Sequence, residues 1–86
     1  MVDIQKLICL SKQVYDAMQD DGICGIGCLS MPEVQMQDWL FAKTFRKDSA
    51  VHEYRADTYY AHEFHVDVSG VRFYCISDRE DIYGTV

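Results

Sequence analysis

Two cysteines separated by three residues, Cys24 and Cys28, enclose a pair of glycines in the stretch Cys24-Gly25-Ile26-Gly27-Cys28, upstream of the histidines His52, His62 and His65. A C-x3-C spacing suits paired thiolate ligands to zinc, and glycines beside the sulfurs let the backbone fold round an ion with its amides turned inward. A closed structural zinc site takes four ligands. By element order, His52 and His62 are the candidates to complete the set with Cys24 and Cys28. Cys75 and His65 are reserves, because Cys75 falls within the expected core and His65 on the expected outer face. Cys9 is a weaker candidate still. The alternative is that Cys24 and Cys28 are small loop residues, or a pair that oxidises once purified.

Other chemistry is harder to assemble. His62 and His65 are three apart, a spacing that converges on a helix and diverges on a strand. No nucleophile sits in a strand-to-helix turn, and C-x3-C is not the C-x-x-C of a redox motif. Gly22, Gly25 and Gly27 follow an expected helix, where a phosphate-binding loop would follow a strand. The expectation is a protein that is not an enzyme.

The elements that must position these residues can be read from periodicity. Ile4, Leu7, Ile8, Val14, Tyr15 and Met18 share a stripe roughly 120° wide at 100° per residue, which predicts an amphipathic helix over 3–20, capped by Asp3 and ended near Gly22. On that projection Cys9 lies nearly opposite the stripe. Ser30-Met31-Pro32-Glu33 reads as a capping box and predicts a second helix over 31–45. Its apolar residues divide, with Met36, Trp39 and Leu40 on one side and Val34, Phe41 and Phe45 on the other, so either the helix is sandwiched within the domain or one side meets a partner. Two alternating runs, 59–68 and 71–77, meet at Ser69-Gly70, a turn-forming pair. With Val68 opposite Val71, the register runs to His62 opposite Ser77. His62, Phe64, Val66, Val68, Val71, Phe73 and Cys75 then share one face, and Glu63, His65, Asp67, Arg72, Tyr74 and Ile76 the other. A third strand is possible over 51–54, with loop as the alternative, and 78–86 reads as an acidic tail that frays. The expected fold is a single α+β domain over 1–86: two N-terminal helices packed on a small antiparallel sheet that ends in a C-terminal β-hairpin.

Composition narrows the partners. Fourteen acids against eight bases give the 86 residues a net charge of −6, which argues against direct nucleic-acid binding, since that rests on basic side chains. A basic island of Lys43, Arg46, Lys47 and Arg55 separates two acidic ends. The first residues lack the basic start of a signal peptide, and no apolar run is long enough to span a membrane. The expected location is the cytoplasm, where four thiols point away from a disulfide framework. Six tyrosines, four phenylalanines and one tryptophan are a large aromatic supply for so small a core. Trp39, Phe41, Tyr59, Tyr60 and Tyr74 are the candidate partner-binding residues, because Tyr and Trp anchor protein interfaces.

A short acidic chain with a leading helix and a closing His62-Glu-Phe-His-Val-Asp-Val-Ser-Gly-Val-Arg-Phe-Tyr-Cys-Ile-Ser77 hairpin resembles the small accessory proteins of phages and mobile elements in Gram-positive bacteria. Among these it is most similar to anti-CRISPR proteins. The likeness lies in overall form and the hairpin, and because anti-CRISPR proteins share no common fold it carries over no residue roles. It implies a non-enzymatic inhibitor that binds a type II CRISPR effector, an RNA-guided nuclease with a basic nucleic-acid channel, and blocks target loading or cleavage. The basic island fits docking on a protein lobe of the effector better than imitation of a duplex. The rival expectation is a small zinc-stabilised structural or regulatory module that forms a homodimer through the second helix.

Overall fold

A computed structural model describes residues 2–28 and 30–84. Its first element is the helix α1, Ile4–Met18. The carboxylate of Asp3 accepts a hydrogen bond from the Lys6 amide at 3.0 Å and so caps a first-turn donor that has no partner within the helix. The chain leaves α1 through Gly22, whose φ of +91° a side-chain-bearing residue rarely adopts. No residue of α1 is buried. The expected packing of this helix on the sheet is therefore corrected.

The next segment also departs from expectation. Ile23–Cys28 is a strand, β1, where a glycine-rich loop was expected, and Pro32–Met36 is a strand, β2, where the second helix was expected to begin. The two pair antiparallel, from Ile23 opposite Met36 to Cys28 opposite Pro32, with an irregularity between Ile23 and Gly25 that leaves Cys24 as an extra residue. The physical reason lies in what the segment can bury. Glu33-Val34-Gln35-Met36 alternates polar and apolar side chains, so as a strand it directs Val34 and Met36 to the core. Pairing with a distant strand then outweighs the local capping signal. Pro32 is tolerated as the first residue of its strand.

Helix α2 is correspondingly short, Asp38–Thr44. Ser77 Oγ donates to Asp38 Oδ2 at 2.9 Å, and the Arg79 guanidinium reaches the same oxygen at 3.2 Å, so the start of α2 is tied to the end of the sheet. After a 3-10 turn at Lys47–Ser49 come β3, Val51–Tyr54, β4, His62–Val68, and β5, Val71–Ser77. β4 and β5 pair antiparallel from Val68 opposite Val71 to His62 opposite Ser77, round a turn in which Ser69 and Gly70 both have positive φ. β3 pairs antiparallel with β4.

The strands form one five-stranded sheet in the order β1-β2-β5-β4-β3. It is mixed, because β2 runs parallel to β5, with Glu33, Val34 and Gln35 opposite Arg72, Phe73 and Tyr74. The expected all-antiparallel sheet is corrected to this arrangement, within an α+β fold of two helices and five strands. Met36, Phe41, Phe64, Cys75 and Ile82 are the buried core, with Ile23, Val34, Leu40, Phe45, Phe73 and Tyr83 packed against it. Phe41 is completely buried, with ring centroids 5.1 Å from Phe45 and 6.5 Å from Phe64. Nor is the end of the chain a fraying tail as far as it is described. Ile82 is buried and the Tyr83 ring meets Phe64 edge-on at 6.2 Å, because an acidic stretch that carries two large apolar residues gains by covering the core. The expected tail also includes residues 85 and 86, which lie outside the described residues. Among the described residues no helix is long and apolar enough to cross a membrane.

Candidate functional site

The sheet order separates the four residues read as zinc ligands. Cys24 and Cys28 lie on β1 at one edge, and His52 lies on β3 at the other, with His62 on the adjacent β4. Four strand spacings amount to roughly 19 Å. The thiols themselves sit four positions apart on an extended strand, roughly 13 Å at the usual rise. One ion cannot be held by all four within a single chain. In a loop the glycines would let the chain fold back on itself, but in a strand they hold the sulfurs apart.

The two histidines do meet. His52 Nε2 and His62 Nδ1 are 2.8 Å apart, so one ring donates to the other, and the His52 ring stacks on Phe64 at 4.4 Å between centroids, 4° from parallel. Tyr54 flanks His62 at 5.1 Å. Beside the pair, a cleft of about 560 Å³ runs between Lys47, His52, Phe64, Glu80, Asp81 and Tyr83. Here β3 supplies His52 and Tyr54, β4 supplies His62 and Phe64, and the chain after β5 supplies the acids.

The opposite face of the sheet carries the polar residues, and helix α2 does not cover it. Glu53 stands directly across from Glu63 in the β3–β4 register, and His65 follows Glu63 on the same face two residues along. One donor atom from each of Glu53, Glu63 and His65 lies within 4.8 Å of the other two. His65 Nδ1 is 3.7 Å from Glu63 Oε2, too long for a hydrogen bond, and finds no hydrogen-bond partner among the described residues although its side chain is only 9% exposed. The other Glu63 oxygen, Oε1, faces Arg55 Nη2 at 3.5 Å. A shallow cleft of about 380 Å³ adjoins the cluster, lined by Glu33, Gln35, Arg55, Glu63, Arg72 and Tyr74. Within it the Tyr74 hydroxyl donates to Gln35 Oε1 at 3.2 Å, and burial pushes the Tyr74 phenol up, helped by the charges of Glu33 and Glu63. Arg72 is occupied by a two-point contact with Asp67 at 2.8 and 3.0 Å, which holds the Asp67 carboxyl below its ordinary value. Sequence reading placed His65 on this face but left it a reserve and did not join it to the glutamates. The cross-strand register of Glu53 and Glu63 was the signal that could have found them.

The thiols offer no positioned nucleophile. Cys9, Cys24 and Cys28 are exposed, and Cys75 is fully buried, its thiol pushed up to about 12 by burial and then by the charge of Asp38. A thiol in that state stays protonated and unreactive at neutral pH.

The partner candidates separate by exposure. Phe41 is a core residue, so it is corrected out of the set: two positions from Trp39 on a helix, it points to the other side. Trp39 remains 46% exposed and sits beside Gly22, at the base of α1. Tyr59 and Tyr60 are exposed and pack edge to face at 4.9 Å, and the Tyr59 hydroxyl donates to Asp78 at 3.2 Å, which raises its pKa. Tyr74 is half-buried on the polar face. The larger apolar surface is one that sequence reading had assigned to the interior. Ile4, Leu7, Ile8, Val14, Tyr15 and Met18 are all exposed along α1, joined by Leu10. No family model, curated protein or solved structure matches this chain.

Proposed function

We propose that this chain is a non-catalytic protein-binding module that inhibits its partner by occupying a surface, with α1 as the engaging element. The observation that carries the reading is the apolar stripe of α1, exposed along a helix with no buried residue. An isolated helix of fifteen residues is marginal in water, and a contiguous exposed apolar face is the usual mark of a binding surface. A helix with apolar side chains at Ile4, Leu7 and Ile8 on one turn and Val14, Tyr15 and Met18 further along the same stripe fits an apolar groove in a partner. The net charge of −6 favours a groove set in a basic surface, where complementary potential speeds encounter. Trp39, beside the base of α1, adds an aromatic anchor of the type that dominates interfaces.

The resemblance to anti-CRISPR proteins names the partner to test first, a type II CRISPR effector nuclease. The chain would dock on a protein lobe and block target loading or cleavage by occlusion. The assay is guide-directed DNA cleavage with purified chain added in molar excess over the nuclease. Wild type suppresses cleavage, and a Leu7→Lys, Val14→Lys variant loses suppression while its melting temperature stays close to that of wild type, because neither side chain is buried. Unchanged cleavage at large excess of wild type rejects that nuclease as the partner.

A second reading has its own support. Positions 4, 7, 11, 14 and 18 follow a heptad seam, with apolar residues at all but Ser11, so α1 could pair with a second copy of itself. The homodimer expected through the second helix would then form through α1 instead, since Phe41 is committed to the core.

A further inference from the structure

Glu53, Glu63 and His65 come from two neighbouring strands and converge on the face of the sheet opposite the His52–His62 pair. Two carboxylates alone would be ordinary surface chemistry. The third member sets this cluster apart, because His65 is more than nine-tenths buried and its Nδ1, aimed at the Glu63 carboxylate from 3.7 Å, has no hydrogen-bond partner among the described residues. A buried polar atom left unpaired is costly, and native structures usually supply one with a partner.

We propose that Glu53, Glu63 and His65 form a binding site for one divalent transition-metal cation, through Glu63 Oε2, His65 Nδ1 and a carboxylate oxygen of Glu53. Two carboxylate oxygens and an imidazole nitrogen suit zinc or manganese, with the remaining positions open to solvent or to a group from a partner. The geometry needs little adjustment. Donors on a cation at about 2.1 Å stand no more than about 4.2 Å apart. The Glu63 and His65 atoms at 3.7 Å already meet that limit. The overall spread of 4.8 Å closes by a small swing of Glu53, the exposed member.

The surrounding charges are compatible. Arg55 approaches Glu63 on Oε1, the oxygen turned from His65, and so orients the carboxylate as an outer partner of a metal ligand does. Arg72 is bound to Asp67, and the two glutamates outweigh the single charge of Arg55. The ion would join β3, an exposed four-residue edge strand, to β4 within the sheet. It would therefore act as a cross-strand clamp on that edge strand.

The test is calorimetric titration of the full chain, stripped with a chelator, with Zn²⁺ and separately Mn²⁺, together with Co²⁺ absorption spectra and hydrogen exchange. The expected result is one equivalent of ion, a Co²⁺ spectrum without thiolate charge transfer, and slowed exchange at Val51–Tyr54. Affinity falls at least about tenfold in Glu53→Gln and in His65→Gln, since loss of even an outer-shell partner costs that much. Glu53→Gln keeps the test decisive if the buried His65→Gln variant does not fold. Binding is unchanged in His52→Gln and in the Cys24→Ser, Cys28→Ser double variant. Absence of a stoichiometric ion, undiminished binding in Glu53→Gln, or loss of binding in either control overturns the proposal.

Discussion

Cys75 and Phe64 face each other across β4 and β5 at the centre of the molecule, and both are buried. Their positions follow from alternation alone, which is why Cys75 could be placed in the core without a structure. Its chemistry follows in turn. An alkylating reagent at neutral pH is expected to modify Cys9, Cys24 and Cys28 in the native protein and to reach Cys75 only on unfolding, as mass spectrometry with and without denaturant would show. The same burial makes stability fall in alkali. A thiol whose folded pKa of about 12 lies above its ordinary 9.0 holds its proton more tightly in the folded state, so stability is lost as pH rises from about 9 towards 12. Tyr74 and Tyr83, also raised by burial, shift in the same direction and steepen the loss above pH 10. Denaturant midpoints between pH 7 and 11 check the sign, and a midpoint that rises with pH would contradict it. Phe41 shows the limit of reading at this scale, because an apolar residue on a helix carries no mark of whether its neighbour is a core or a partner.

At the scale of elements, β3 could be read only as strand or loop, whereas α1 and the strands β4 and β5 could be read locally, since each has one period and its own punctuation: the cap at Asp3, the turn at Ser69-Gly70. β1 and β2 could not, since Cys24-Gly25-Ile26-Gly27-Cys28 is poor in strand formers and becomes one only as the outer partner of β2, which is itself held by β5. The glycine that matters for geometry is Gly22, at the joint of α1 and β1. A methyl group there would stand 2.8 Å from Leu40 Cδ2 and 2.9 Å from Trp39 Cζ2, and the residue keeps a φ of +91°. Gly22→Ala is expected to cost about 1–3 kcal/mol, from the strained backbone together with the displaced side chains of α2. Urea unfolding measures it, and a loss below about 0.5 kcal/mol would mean that the joint is not held as described.

The whole molecule is elongated, 47 Å by 25 Å by 24 Å, with a radius of gyration of 14.8 Å against about 12 Å for a compact domain of its length. A binder with a free face predicts a monomer of this extended shape in light scattering at micromolar concentration. A dimer that Leu7→Lys returns to monomer would instead make α1 a self-association element. The same distinction shows what the sequence by itself determined: an α+β chain, a capped amphipathic first helix, an alternating pattern from His62 to Ser77 that separates a core face from a polar one, and an acidic charge. These depend on residues close in sequence, where period and turn chemistry act directly. Only the tertiary structure decided that β2 lies parallel to β5, that Cys24 and Cys28 stand at the opposite edge from His52, that Glu53 joins Glu63 and His65, and that the stripe of α1 is uncovered. Each of these depends on which distant segment takes a given edge or face, and an apolar stripe specifies that it is to be covered but not by what.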